Sequence, residues 1–174
     1  MSVGPRIRKF MLTMHITTSV GWLGALVAYL ALDVTATAGH DVQTVRAAYL
    51  AMDLTVRYVI VPLALTALFT GIVQSLATTW GLFRHYWVVV SLLLTLVATG
   101  VLLIEAQSVR YLAEQAASAP DPRALPGSLL HSIGGLIVLL TITALNLYKP
   151  RGLTRYGWRK QQTKPRQRSA ALVP

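Results

Sequence analysis

A chain of 174 residues with 54% hydrophobic and only 13% charged positions falls well below the roughly 25% charged share of a soluble domain, which excludes an ordinary water-soluble fold. The formal net charge of +10 sits mainly in the two tails, so anionic lipid, not nucleic acid, is the partner it implies. The lack of cysteine excludes disulfides, thiol catalysis, iron–sulfur clusters and cysteine zinc sites.

Residues 1–9 form a basic segment carrying Arg6, Arg8 and Lys9. Residues 10–32 follow, apolar and uncharged apart from His15. Ala36-Thr37-Ala38 resembles a signal-peptidase site, but the apolar run exceeds the roughly 7–15 residues of a signal core, so it reads as a first membrane span. Residues 33–43 are a polar link. Residues 44–57 have helical spacing but too little apolarity for lipid, and Arg46, Asp53 and Arg57 share one face, so an interfacial helix is expected. The second span is 58–80. Pro62 should free the carbonyl of Tyr58 and bend it. Residues 81–85 are a short turn, which makes spans two and three antiparallel neighbours. Trp80, Tyr86 and Trp87 there fit an interfacial aromatic belt.

The third span is 86–104, continued by exposed helix over 105–118 that Pro120-Asp121-Pro122 ends. Pro126-Gly127 turns into the fourth span, Leu129–Tyr148, which at about 1.5 Å per residue gives roughly 30 Å, the thickness of a bilayer's hydrocarbon core. Residues 151–174 are basic, without periodicity, and expected to be mostly disordered, wholly so beyond Trp158. Its Tyr148, Tyr156 and Trp158 among basic residues suit anionic inner-leaflet lipid. The fold class is therefore all-α membrane: a four-transmembrane-helix up-down bundle over 10–150, with basic ends at 1–9 and 151–174. Of the 16 Lys and Arg, only Arg46, Arg57, Arg110 and Arg123 fall on the side opposite the termini, so the positive-inside rule puts both termini in the cytoplasm.

The span centres lack ionisable groups, which argues against an ion-coupled transporter. Instead Thr66, Thr70 and Gln74 recur at i, i+4 and i+8, as do Ser91, Thr95 and Thr99. The plain reading is that they bond backbone carbonyls, with Gly21, Gly24, Gly134 and Gly135 allowing close helix approach. The functional reading is a polar-lined path or small-ligand pocket. His15 and His85 lie toward one side of the membrane, His40 and His131 toward the other. His15 with His85 are candidate b-type haem ligands, their axial offset of roughly 6 Å taken up by tilt, and His131 is a further candidate. No helix carries two histidines at both depths, as two-haem bundles of this size do. Met11, Met14 and His15 share a face and form a soft donor set suited to copper. Asp33, Asp53, Arg57, Glu105 and His131 gather at outer helix ends, where Arg57 is expected to pair with Asp53 and Glu105, or the cluster to hold a divalent metal or polar ligand. There is no nucleophile elbow, phosphate loop or zinc-protease motif.

The stretches His15–Gly24, 81–90 (GLFRHYWVVV), 130–136 (LHSIGGL) and 148–160 (YKPRGLTRYGWRK) resemble small uncharacterised four-helix integral membrane proteins of actinobacteria. That resemblance implies a fold and setting but carries no site residues. His15 followed by Trp22-Leu23-Gly24 is also similar to the copper-resistance D membrane family, which implies copper at Met11, Met14 and His15. Span three departs from that pattern, with Ser91 where a lysine commonly stands. The expected function is a non-enzymatic binder of a small hydrophobic or redox ligand, b-type haem among them. Alternatives are an accessory or structural subunit in a homo-oligomer or larger membrane complex, and copper handling.

Overall fold

The computed structural model describes residues 4–77, 81–150 and 152–159. Five helices follow in order: α1 (Pro5–Ala38), α2 (Val42–Thr55), α3 (Val61–Ala77), α4 (Tyr86–Ser118) and α5 (Leu129–Tyr148). A π turn, Val56–Ile60, joins α2 to α3, and a 3-10 turn, Pro122–Ala124, lies between α4 and α5. Alpha-helix 1, the joined α2–α3, α4 and α5 make four helical units, each long and apolar enough to cross a membrane. No named strand occurs among the described residues, only an isolated bridge between His85 and Leu153.

The units run up and down around a ring. Alpha-helix 1 packs on α2–α3 and on α5, and α4 packs on the same two, so α1 and α4 face each other diagonally. Outward faces are apolar: Val20, Val27, Phe69, Leu93, Val97 and Ile137 are all exposed. A water-facing helix would carry charge at such positions.

The interfacial helix expected at 44–57 and the span expected from 58 are one continuous rod. The proline explains the join. Pro62 has no N–H, and its ring crowds the carbonyl one turn back. Just before it, Val61 N–H bonds to Val56 O, the i→i−5 spacing of a π turn, which widens the helix without breaking it.

At about 1.5 Å per residue, α1 and α4 are each about 50 Å long, some 20 Å more than a hydrocarbon core. The excess of α4, beyond Glu105 where it meets the start of α5, lies at one end, the loop end, together with α2 and the last turn of α1. There the packing is tightest: Val45, Tyr49, Met52, Ala36 and Ala116 are each no more than 2% exposed. Val45, Ala48, Tyr49 and Met52 repeat at i, i+3, i+4 and i+7, so α2 has one apolar face for α1 and α4. Polar ties hold the connecting loops over this knob. Arg46 donates to Ala119 O at 2.7 Å, Tyr49 O–H to Leu125 O at 3.1 Å, and Arg123 to His40 O at 3.1 Å.

At the other end, the tail end, Gly81 takes φ +63°, a conformation glycine adopts without strain. Alpha-helix 5 stops at Lys149 in the left-handed region, with Pro150 next, a common helix termination. Residues 152–159 then fold back onto the turn before α4: Tyr86 N–H bonds Gly152 O at 3.3 Å and Thr154 N–H bonds Arg84 O at 3.0 Å. Thr154 Oγ1 accepts from Gly157 N–H at 3.1 Å and starts a short helical turn. The stretch expected to be disordered beyond Trp158 lies, from residue 160 on, outside the described residues.

Candidate functional site

The outer cluster expected from the sequence resolves into three separate groups. Arg57 pairs with Asp53 at 2.7 Å on the surface of α2. Glu105 pairs with His131 across α4 and α5 at 3.3 Å, not with Arg57. Arg57 is taken up by Asp53 one turn away on its own helix, and the Glu105 carboxylate is met instead by the histidine one turn into the adjoining α5. Asp33 stands apart, fully buried. Its carboxylate accepts from Ser128 N–H at 3.1 Å, Ser128 Oγ at 2.9 Å and Ser132 Oγ at 2.8 Å.

Ser128 is the N-cap of α5 and makes no cap with its own side chain. The carboxylate of α1 serves instead, at the positive end of the helix dipole. Tyr29 O–H, one turn before Asp33, meets Ser128 Oγ at 3.0 Å. Sequence reading missed Tyr29, Ser128 and Ser132. The available signal was spacing: Tyr29 with Asp33, and Ser128 with Ser132, are i, i+4 pairs at facing helix ends.

Toward the tail end, α1, α3, α4 and α5 line a partly open cavity of about 890 Å³. Its wall is mainly apolar and includes Trp22 and Trp87, with Arg8, Lys9 and Lys149 among the residues lining it. Polar side chains line it from all four helices, among them His15 from α1, Gln74 from α3, Ser91 from α4 and Asn146 from α5.

The hydroxyl stripes separate into two kinds. Thr66, Thr70, Thr95 and Thr99 each donate to the carbonyl one turn back, at 2.7–2.8 Å. Such bonds spend the hydroxyl's proton within its own helix. Ser91, 7% exposed, and Gln74 are different. Ser91 Oγ and Gln74 Oε1 are buried atoms with no hydrogen-bond partner among the described residues. An unpaired buried polar atom costs roughly 1–3 kcal/mol, so two at one cavity indicate a place where a bonding partner belongs.

His15 is held across the helix interface. Its Nδ1 lies 3.1 Å from Ala67 O and 3.3 Å from Thr70 Oγ1. The ring rests on Gly71, where an added Cβ would sit 2.9 Å from Cε1; only glycine leaves the imidazole room there. A carbonyl oxygen only accepts, so Nδ1 carries the proton.

His15 and His85 come from diagonal helices, and only His15 lines the cavity. His85 is the N-cap of α4, with its ring beside Trp87 at a centroid distance of 6.4 Å. His131 is at the opposite end and His40 is exposed. Met11 and Met14 are partly exposed and do not line the cavity with His15. Among the described residues no three His, Asp or Glu side chains converge on one point as a metal set.

Two exposed carboxylates at the loop end have perturbed acidity. Asp121 is pulled down to about 2, mainly by hydrogen bonds from the Arg123 side chain and backbone N–H. Asp41, the N-cap of α2, is lowered by the Thr44 hydroxyl and N–H. Both groups fasten loops and neither is near the cavity.

Comparison with known protein families, with curated proteins and with solved structures finds no match.

Proposed function

We propose that the chain is a multi-pass protein of the cell membrane, with both termini in the cytoplasm, that binds one small hydrophobic ligand in the tail-end cavity without transforming it. The observation that carries this reading is the unspent hydrogen-bonding capacity of Ser91 and Gln74 in a mainly apolar, partly open cavity of about 890 Å³. Ligand sites are typically concave, largely apolar and furnished with a few convergent polar groups. Membrane placement is supported by the apolar outward faces and by the length of four helices. The orientation is supported by Lys and Arg: among the described residues only Arg46, Arg57, Arg110 and Arg123 lie toward the loop end, where all six acids also lie. The fold-back of 152–159 keeps Tyr156 and Trp158 at the tail end, 54% and 59% exposed, at the level where anionic headgroups of the inner leaflet would meet them.

The test is native mass spectrometry of the detergent-purified protein, followed by solvent extraction of whatever it retains. The expected result is a stoichiometric small apolar molecule that is lost from a Gln74→Leu, Ser91→Leu double variant of unchanged helicity. Retention of the same molecule by that variant would refute the site. A phosphatase fused to the C-terminus that proved active outside the cell would refute the orientation.

A further inference from the structure

We infer that the cavity selects a lipid-soluble hydroquinone in its reduced, hydroxyl-bearing form over the corresponding quinone. The inference rests on the cavity being a ligand site and adds the chemical class of the ligand.

The selecting group is His15. Its Nδ1 faces two oxygens, Ala67 O and Thr70 Oγ1. The Thr70 hydroxyl already donates to Thr66 O at 2.7 Å, so it too accepts from the ring. Both contacts require the proton on Nδ1. No carboxylate lines the cavity among the described residues, and the charged groups that do are the cations Arg8, Lys9 and Lys149. A second proton on the ring would therefore face like charge and an apolar wall. The imidazole is neutral, and Nε2 is left as a pure acceptor that makes no hydrogen bond among the described residues.

Gln74 and Ser91 are less particular. A serine hydroxyl both donates and accepts, and the Gln74 amide presents either end by rotating about its last bond. Of these three, only His15 distinguishes a donor from an acceptor, and it is the one acceptor-only group among them. A hydroquinone O–H donates to Nε2. A quinone carbonyl would set one lone pair against another. The second oxygen of either form finds Ser91 or Gln74. Trp22 and Trp87 in the wall supply flat apolar surface for a ring.

An anionic amphiphile fits less well. Its head would stay with Arg8, Lys9 and Lys149, leaving Nε2, Gln74 and Ser91 still unsatisfied.

The experiment is native mass spectrometry of the full chain incubated anaerobically with 2-methyl-1,4-naphthohydroquinone, with 2-methyl-1,4-naphthoquinone, or with dodecanoic acid. The inference expects a one-to-one adduct with the hydroquinone, with an apparent affinity about tenfold above that for the quinone, the scale of one neutral hydrogen bond gained or lost. His15→Phe should abolish the preference, and Ser91→Ala, the milder change, should weaken both forms alike. Equal occupancy by the two oxidation states overturns the inference, as does a preference that survives His15→Phe. Dodecanoic acid binding without hydroquinone binding also overturns it while leaving the cavity a ligand site. Absence of any adduct, together with nothing retained on purification, overturns both.

Discussion

Removing the hydroxyl of Ser132 should strand charge inside the bundle. The residue is 3% exposed, and its Oγ donates at 2.8 Å to Asp33, which has no exposed surface at all. A hydrogen bond to a charged group contributes about 1.5–3 kcal/mol, so Ser132→Ala should cost that much. Ser128→Ala removes a second bond, of 2.9 Å, and leaves Tyr29 O–H without its partner. The two together should cost about 3–6 kcal/mol, a large part of a typical domain's stability. Asp33→Asn provides the control, because the neutral amide keeps an acceptor for Ser128 N–H and has no charge to strand. In that background Ser132→Ala should cost only about 0.5–1.5 kcal/mol. The assay is denaturant unfolding in detergent micelles followed by helical circular dichroism, arranged as a double-mutant cycle. A coupling energy of at least about 1 kcal/mol is expected. Equal cost of Ser132→Ala in both backgrounds would refute the idea that these hydroxyls exist to satisfy a buried carboxylate.

Four further outcomes follow from the geometry. Gly127→Ala would drive a methyl into the Thr37 side chain, so a loss of about 1–3 kcal/mol is expected, partly restored by Thr37→Ala. Gly71→Ala pushes on the His15 ring and should weaken ligand retention in native mass spectrometry, leaving the helicity of the protein unchanged. The Asp121 carboxyl is held at about 2 by Arg123; its stabilising contribution is present above its unfolded value near pH 4 and is lost as pH falls toward 2. Carboxyl-detected NMR should find that low midpoint, with Arg123→Ala returning it upward; an ordinary midpoint in the parent protein contradicts the contact. A visible spectrum of the purified protein, oxidised and reduced, is expected to lack a Soret band, since of His15, His85 and His131 only His15 lines the cavity; a b-type spectrum that His15→Ala or His85→Ala abolishes would overturn that expectation.

The sequence made some contacts legible and hid others for definite reasons. The pairing of Arg57 with Asp53 was readable because i, i+4 neighbours meet on any helix. The pairing of Glu105 with His131 was not, because it depends on which helices adjoin. Asp33 was noticed as an acid at an outer helix end, but its partners lie 95 and 99 positions away in the chain. Similarly, the stripes of Thr66, Thr70, Gln74 and of Ser91, Thr95, Thr99 were visible as spacing. Their spacing does not reveal that four members bond their own helix while Gln74 and Ser91 are left for the cavity.

By itself the sequence determined the long apolar helices, their up-down order and the uneven placement of charge, all properties of local periodicity, span length and short turns. Pro62 was visible in advance as a point of irregularity, although the π turn beside it was not. The tertiary structure alone decided the ring order of the helices, the knob built from α2 with the ends of α1 and α4, the carboxylate that caps α5 from another helix, and the cavity beside His15. Each of these depends on the rotation of one rod against its neighbours. A uniformly apolar helix carries little sequence information about that rotation, since lipid and protein interior are nearly equivalent surroundings for leucine and valine. The rotation is decided where a few polar groups and glycines must meet, and here those are Asp33 with Ser128 and Ser132, and His15 with Gly71.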